Sequence, residues 1–360
     1  MRASNAVDFW RGLALVMIFI NHIPGNVLSA YTLRNFAVCD AADLFVFLAG
    51  WSLSYATNRQ GSPDTAPKLV GRLVWRAFDL YSAQLAITLL AVAMLATAAH
   101  TMQNPLFLEW HNAGPAFYDP VRAVTGMALL SYQLGYFNIL PMYVVLLLMA
   151  PVFLLAARAS RWLALALSLS LYGWCLTTGL TMPSWPSDEQ WFFNPLCWQL
   201  LLLSGFLSAE LARGADPTFM KVRRWLFWPA CLVVGLGAMI AVVGIYPDPV
   251  SVPSPRLFFL FDKTYLSPAR LINLFALCLA FAGAYRILQE KSSTIVAQFC
   301  RLGRHSLPVF CVGSLLALAA QIARFSFSSS LLGDLVLIGI GLMSMGLTAW
   351  FVEWRQRALR

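Results

Sequence analysis

Long uncharged apolar runs recur along the whole chain, and no soluble fold has room for so many of them. They fall near residues 8–28, 40–57, 76–99, 137–157, 162–180, 194–211, 225–245, 268–287, 305–323 and 332–352. A helix of about 20 apolar residues crosses the hydrocarbon core of a bilayer with its backbone polar groups satisfied internally. The pattern predicts an all-α, polytopic integral membrane protein of about ten transmembrane helices, one membrane-embedded domain over residues 1–360. Charge content agrees, at 11% of residues against about 25% in a soluble domain. The first run is too long for a signal peptide and lacks a small-residue cleavage site, so it reads as an anchor.

A net charge of +9 points first to a polyanion partner, but its distribution assigns it to topology. With the N-terminus inside, Arg34, Arg122, Arg256, Lys263, Arg270 and Arg324 fall outside, and every other Lys and Arg falls inside. Such a bias orients a membrane protein with both ends cytoplasmic, here in a bacterial-type inner membrane. The partner it implies is the lipid bilayer, and nucleic acid is excluded. The seven cysteines are odd in number and form no CxxC, and there are four histidines. That usage predicts neither a disulfide framework nor a metal site. Two longer outside segments, 100–136 and 246–267, contrast with short basic inside loops, and no internal repeat or linker divides the chain.

The chemistry begins in the first run. Arg11 and His22 are separated by about 20° around a helix and about 16 Å along it, with Asp8 near the same stripe. Ionisable residues within a span are costly and usually face a cavity or a partner, and Pro24 ends the regular helix just beyond His22. Asp43 enters the second run at the expected depth of His22, where a carboxylate would fix the imidazole tautomer and stabilise the imidazolium. Asp40 fits a helix N-terminus favoured by the dipole. Arg72 and Arg76 share a helical face with Asp79 at the inner boundary, and Arg301, Arg304 and His305 form another basic cluster on the same side at the start of the ninth run. These inward residues serve either as topological anchors or as a phosphate-binding surface.

The stretch from Asp8 through Arg11 and His22 to Gly25, with Thr32-Leu-Arg-Asn35 and Asp43-Leu-Phe-Val-Phe-Leu-Ala-Gly50, resembles the OpgC family. Those proteins are succinyltransferases of osmoregulated periplasmic glucans, related to the membrane acyltransferase-3 group. Further similar blocks are Leu140-Pro-Met-Tyr143, Phe193 to Gln199, Asp262-Lys-Thr264, Arg270-Leu-Ile-Asn273 and Gly303 to Leu307. They cover nearly the whole chain in order. Arg11 and His22 also match the acyltransferase-3 pattern of a basic residue, ten intervening residues and a histidine. The family often carries His where this chain has Gln84 and Asn273, which hydrogen-bond but do not titrate.

The resemblance implies transfer of an acyl group, succinyl above all, from cytoplasmic acyl-CoA to a hydroxyl of periplasmic glucan. Acyl-CoA is then a co-substrate, and no cofactor is permanently bound. His22 would be the general base, aided by Asp43 and Arg11. Arg72, Arg76, Arg304 and His305 would face CoA, and Arg34, Asn35, Lys263 and Arg270 the substrate side. A homodimer is compatible with the chain. Acetyl transfer to another polysaccharide, a transporter or flippase, and a non-catalytic scaffold are the competing readings. The scaffold leaves the Arg11–His22 stripe unexplained, and a transporter usually shows paired interrupted helices in repeated halves.

Overall fold

Helices account for nearly all the regular structure, with no strand among the described residues. The computed structural model describes residues 5–57, 64–186, 190–213, 217–327 and 330–358, with the side chains of all but 217–223. Arg2, Arg59 and Arg360, and the side chains of Lys221 and Arg223, belong to the inside set read from the sequence and lie outside that description.

The first helix, α1 (Ala6–Asn21), starts at Asn5, whose side chain accepts from the Asp8 amide. It stops well short of the expected residue 28. Pro24 cannot continue the hydrogen-bond ladder, and Asn26 Nδ2 instead donates to the carbonyls of Ile20 and Ile23. The chain then runs through two 3-10 turns, Val27–Tyr31 and Leu33–Asn35, into α2 (Ala41–Thr57). These two helices have 16 and 17 residues, giving rises of about 24–26 Å, shorter than a hydrocarbon core of about 30 Å.

Six helices are long and apolar enough to cross a membrane. They are α3 (Ala66–Thr101), α6 (Ile139–Ala159), α8 (Pro195–Arg213), α9 (Pro217–Val243, counted from Arg224), α13 (Ser306–Phe327) and α14 (Leu331–Ala358). A seventh arises if α10 (Pro268–Ala280) and α11 (Ala284–Lys291), bent by 47° at their junction, form one broken span. Of the ten expected spans, α1, α2 and α7 (Arg161–Thr178) fall short: the first two in length, the last through its serines, threonines and Arg161. Short helices α4 (Gly114–Tyr118) and α5 (Pro120–Ala128) fold within the long segment before α6, and α12 (Ser293–Arg304) precedes α13.

Two close crossings hold α1 and α2. A Cβ at Gly12 would overlap the Phe299 carbonyl of α12, and one at Gly303 would overlap the Asp8 carbonyl of α1. Gly50 and Gly205 stand in the same relation to the backbones of α8 and α2. Small residues that let helix backbones touch are the usual means of packing in lipid, where apolar burial supplies little drive. The ends of α1 and α2 are thereby set on firm neighbours.

Candidate active site

The connections at one end of the bundle gather around the C-terminus of α1. Here His22 is the cap residue, its amide bonded to the Ile18 carbonyl at 3.0 Å. Its imidazole packs on the ring of Tyr136, centroid to centroid 4.7 Å, and lines a cavity of about 600 Å³. Arg34, Asp40, His111, Lys263 and Arg270 line the same space, together with Phe192, Phe193, Tyr246 and Phe261.

The charged wall is a four-residue network. Lys263 Nζ lies 2.5 Å from Asp40 Oδ2, and Arg270 lies 3.3 Å from Asp40 and 2.5 Å from Asp43. Arg270 also donates to the Val38 carbonyl at 3.0 Å. The expected partnership of Asp43 with His22 is corrected here. Asp43 is fully buried, and its carboxylate is taken up by Arg270 and by the Asp40 amide at 2.7 Å. Asp40, three residues earlier and about 60° away around the helix, is the carboxylate that shares the cavity with His22.

The loop carrying Lys263 is pinned from beneath. Fully buried Trp198 donates its indole N–H to the carbonyls of Lys263 and Thr264, at 3.1 and 3.2 Å. The Asn194 amide bonds the Thr264 carbonyl, and Tyr172 donates to Leu266 O at 2.7 Å. The Lys263 ammonium sits over the rings of Phe192 and Phe193, 5.4 and 5.2 Å from their centroids. Those contacts give the Phe193–Gln199 and Asp262–Thr264 blocks one shared structural task. Asn273 accepts from the amides of Val38 and Cys39, at 3.1 and 3.3 Å, just before α2. Gln84 donates to Thr88 at 2.9 Å within α3.

Other residues singled out from the sequence lie elsewhere. Arg11 binds Ser306 of α13 at 2.5 Å and Ser52 of α2 at 3.3 Å, and stacks over Phe45. It ties three helices together and is not among the residues lining the cavity. Asn35 donates to the Ser29 carbonyl at 2.6 Å, closing its own turn. Arg34 lines the cavity with no hydrogen bond or ion pair to the other described residues.

Among the inward residues, Arg72 is held by Asp64 at 2.7 Å and by the Ala56 carbonyl, so it closes the connection from α2 to α3. Arg76 faces Asp79 at 3.7 Å in an exposed pair. Arg304 and Arg301 each lie 3.1 Å from Glu353 of α14, with Arg357 at 3.6 Å. One buried carboxylate thus faces three guanidinium groups. His305, next to Arg304, is buried with Nε2 unpartnered among the described residues.

Two contributors were not placed at the site from the sequence. Gln321 of α13 donates from Nε2 to the His22 carbonyl and accepts at Oε1 from His111 Nε2, 2.7 Å away. Tyr136 lies between the two imidazoles, its centroid 4.7 Å from His22 and 5.0 Å from His111. The polar residues of the 100–136 segment were a signal, but nothing local in the chain indicates that it folds back onto α13. A family model described as OpgC protein matches residues 3–357, and no curated protein matches the chain.

Proposed function

The chain belongs to the OpgC family, and on that premise we propose that it is a membrane O-acyltransferase that moves a succinyl group from acyl-CoA to a hydroxyl of periplasmic glucan. The observation that carries this reading is His22, at the wall of a cavity of about 600 Å³ with cationic and aromatic walls. Aromatic faces suit sugar rings, and cations suit a free carboxylate on the acyl group. Lys263 and Arg270 are already matched to Asp40 and Asp43, which leaves Arg34 as the cation with charge to spare for the donor carboxylate.

In this reading the cavity end of the bundle faces the periplasm and both termini the cytoplasm, with α1, α2 and α7 completing the ten crossings. His22 accepts the proton of the sugar hydroxyl as its oxygen attacks the thioester carbonyl carbon. The carbon–sulfur bond then breaks, and the departing thiolate takes up a proton as CoA leaves inward. Arg304, with its neighbours around Glu353, and Arg76 hold CoA phosphates. A second cavity touching His22, lined by Leu15, Phe19, Val309 and Met345, has a volume of about 10 Å³, room for about one water molecule. Passage of a pantetheine arm to His22 through this cavity would require α13 and α14 to part from α1.

The test is mass spectrometry of glucans from cells with and without the protein. A succinyl increment that depends on the protein supports the proposal. An acetyl increment would reassign the donor, and no increment would remove acyl transfer altogether.

A further inference from the structure

His111 lies in a segment outside the apolar runs, yet it is built into the site with unusual care. Its backbone is left-handed (φ 57°, ψ 31°), a conformation that costs a non-glycine residue roughly 1 kcal/mol or more. The Gly135 amide bonds the His111 carbonyl at 2.8 Å, and the imidazole meets Gln321 across 210 positions of sequence. The hydrogen-bond chain fixes the tautomer. A main-chain carbonyl only accepts, so the Gln321 amide turns its NH2 to His22 O and its oxygen to His111. His111 Nε2 must then carry the proton, and Nδ1 is left as an acceptor. Nδ1 lies beside Gly135, where a Cβ would come within 3.3–3.4 Å of the His111 Cα, Cβ and Nδ1. Both residues line the cavity that holds His22. Burial keeps the imidazole pKa below its ordinary value, against the opposing effect of its hydrogen bond to Gln321, and the neutral ring keeps its acceptor lone pair.

Resting on the acyl-transfer reading above, we infer that His111 Nδ1 accepts a hydrogen bond from a hydroxyl of the glucan and so orients the sugar for His22. Gln321 is then a positioning residue that presets the tautomer of His111 and ties it to the end of α1. The strained backbone is the cost of aiming the ring into the cavity from a loop.

Two isosteric substitutions separate this role from a structural one. In His111→Asn the side-chain oxygen can occupy the place of Nδ1, and Asn tolerates left-handed backbone, but the link to Gln321 is lost. In His111→Gln the link to Gln321 can persist while the Nδ1 acceptor is gone. The assay is CoA release from succinyl-CoA by the full-length protein in liposomes, with and without periplasmic glucan stripped of its esters by mild alkali. His111→Gln is expected to raise the KM for glucan about tenfold, the loss of one hydrogen bond, with smaller effects on the KM for succinyl-CoA and on glucan-independent hydrolysis. His111→Asn is expected to stay within a few-fold of wild type on all three. Gly135→Ala, which crowds Nδ1 without touching the imidazole chemistry, is expected to raise the KM for glucan alone. Equal losses in the Asn and Gln variants, the reverse order, or unchanged glucan KM in both Gln and Gly135→Ala proteins would overturn the inference. A wild-type protein that releases no CoA with glucan would contradict the acyl-transfer reading itself, and this inference with it.

Discussion

The Arg270 guanidinium lies 2.5 Å from the Asp43 carboxylate, and both groups are buried. Removing one partner of such a pair strands the other charge, at a typical cost of about 3–5 kcal/mol. Asp40, 3.3 Å from the same guanidinium, compensates part of this. Asp43→Asn is therefore expected to destabilise the protein by about 3 kcal/mol, seen as a lower midpoint of thermal unfolding in detergent and reduced membrane yield. A variant of wild-type stability that has lost transfer activity would return Asp43 to a direct role beside His22.

Arg34 is expected to set the preference for a donor with a free carboxylate. A charge-assisted contact is worth about 1.5–3 kcal/mol, so Arg34→Gln should raise the KM for succinyl-CoA about tenfold or more. The inhibition constant of acetyl-CoA, which lacks that carboxylate, should stay as it is. Equal weakening of both donors would show that Arg34 does not read the acyl group.

The inward arginines divide into two kinds. Arg304 belongs to a cluster in which three guanidinium groups share the Glu353 carboxylate, leaving positive charge for a phosphate. Arg304→Gln should raise the KM for acyl-CoA about tenfold with little effect on the KM for glucan. Arg72 is committed to Asp64 and Ala56, so Arg72→Gln should lower stability and leave the KM for acyl-CoA within a few-fold. Unchanged KM in the Arg304 variant would reduce that cluster to a topological anchor.

The crossing of α1 on α12 offers a test of packing. Gly303 has no space for a methyl group between it and the Asp8 carbonyl. Gly303→Ala is expected to cost about 1–3 kcal/mol through forced separation of the helices, read as a lower unfolding midpoint. Gly346, where a Cβ would meet no atom within 4 Å, should accept the same substitution without loss.

Apolar runs alone were enough to locate α2, α6, α7, α8 and α13 to within a few residues, while α14 continues six residues beyond the expected end. They overshot α1 because Val27, Leu28 and Leu33 continue the apolar composition in 3-10 turns. Composition cannot reveal that Asn26 caps the preceding carbonyls. Membrane depth placed an acid near His22 but selected Asp43, whereas Asp40 is the one that shares the cavity. That choice is made by Arg270, 227 positions further along the chain. The Arg11–His22 stripe is real as helix geometry, yet Ser52 and Ser306 take Arg11 away from the cavity. The pairing of His111 with Gln321 was hidden for the same reason as that of Arg270 with Asp43, since each exists only in the folded chain.

The most direct test of the account is the rate of succinyl transfer from labelled succinyl-CoA to glucan by His22→Ala protein in reconstituted membranes. General-base catalysis contributes about 10²–10⁴-fold, so the variant is expected to fall at least a hundredfold while it still inserts and still binds acyl-CoA. A His22→Ala protein that keeps most of the wild-type rate would contradict the account.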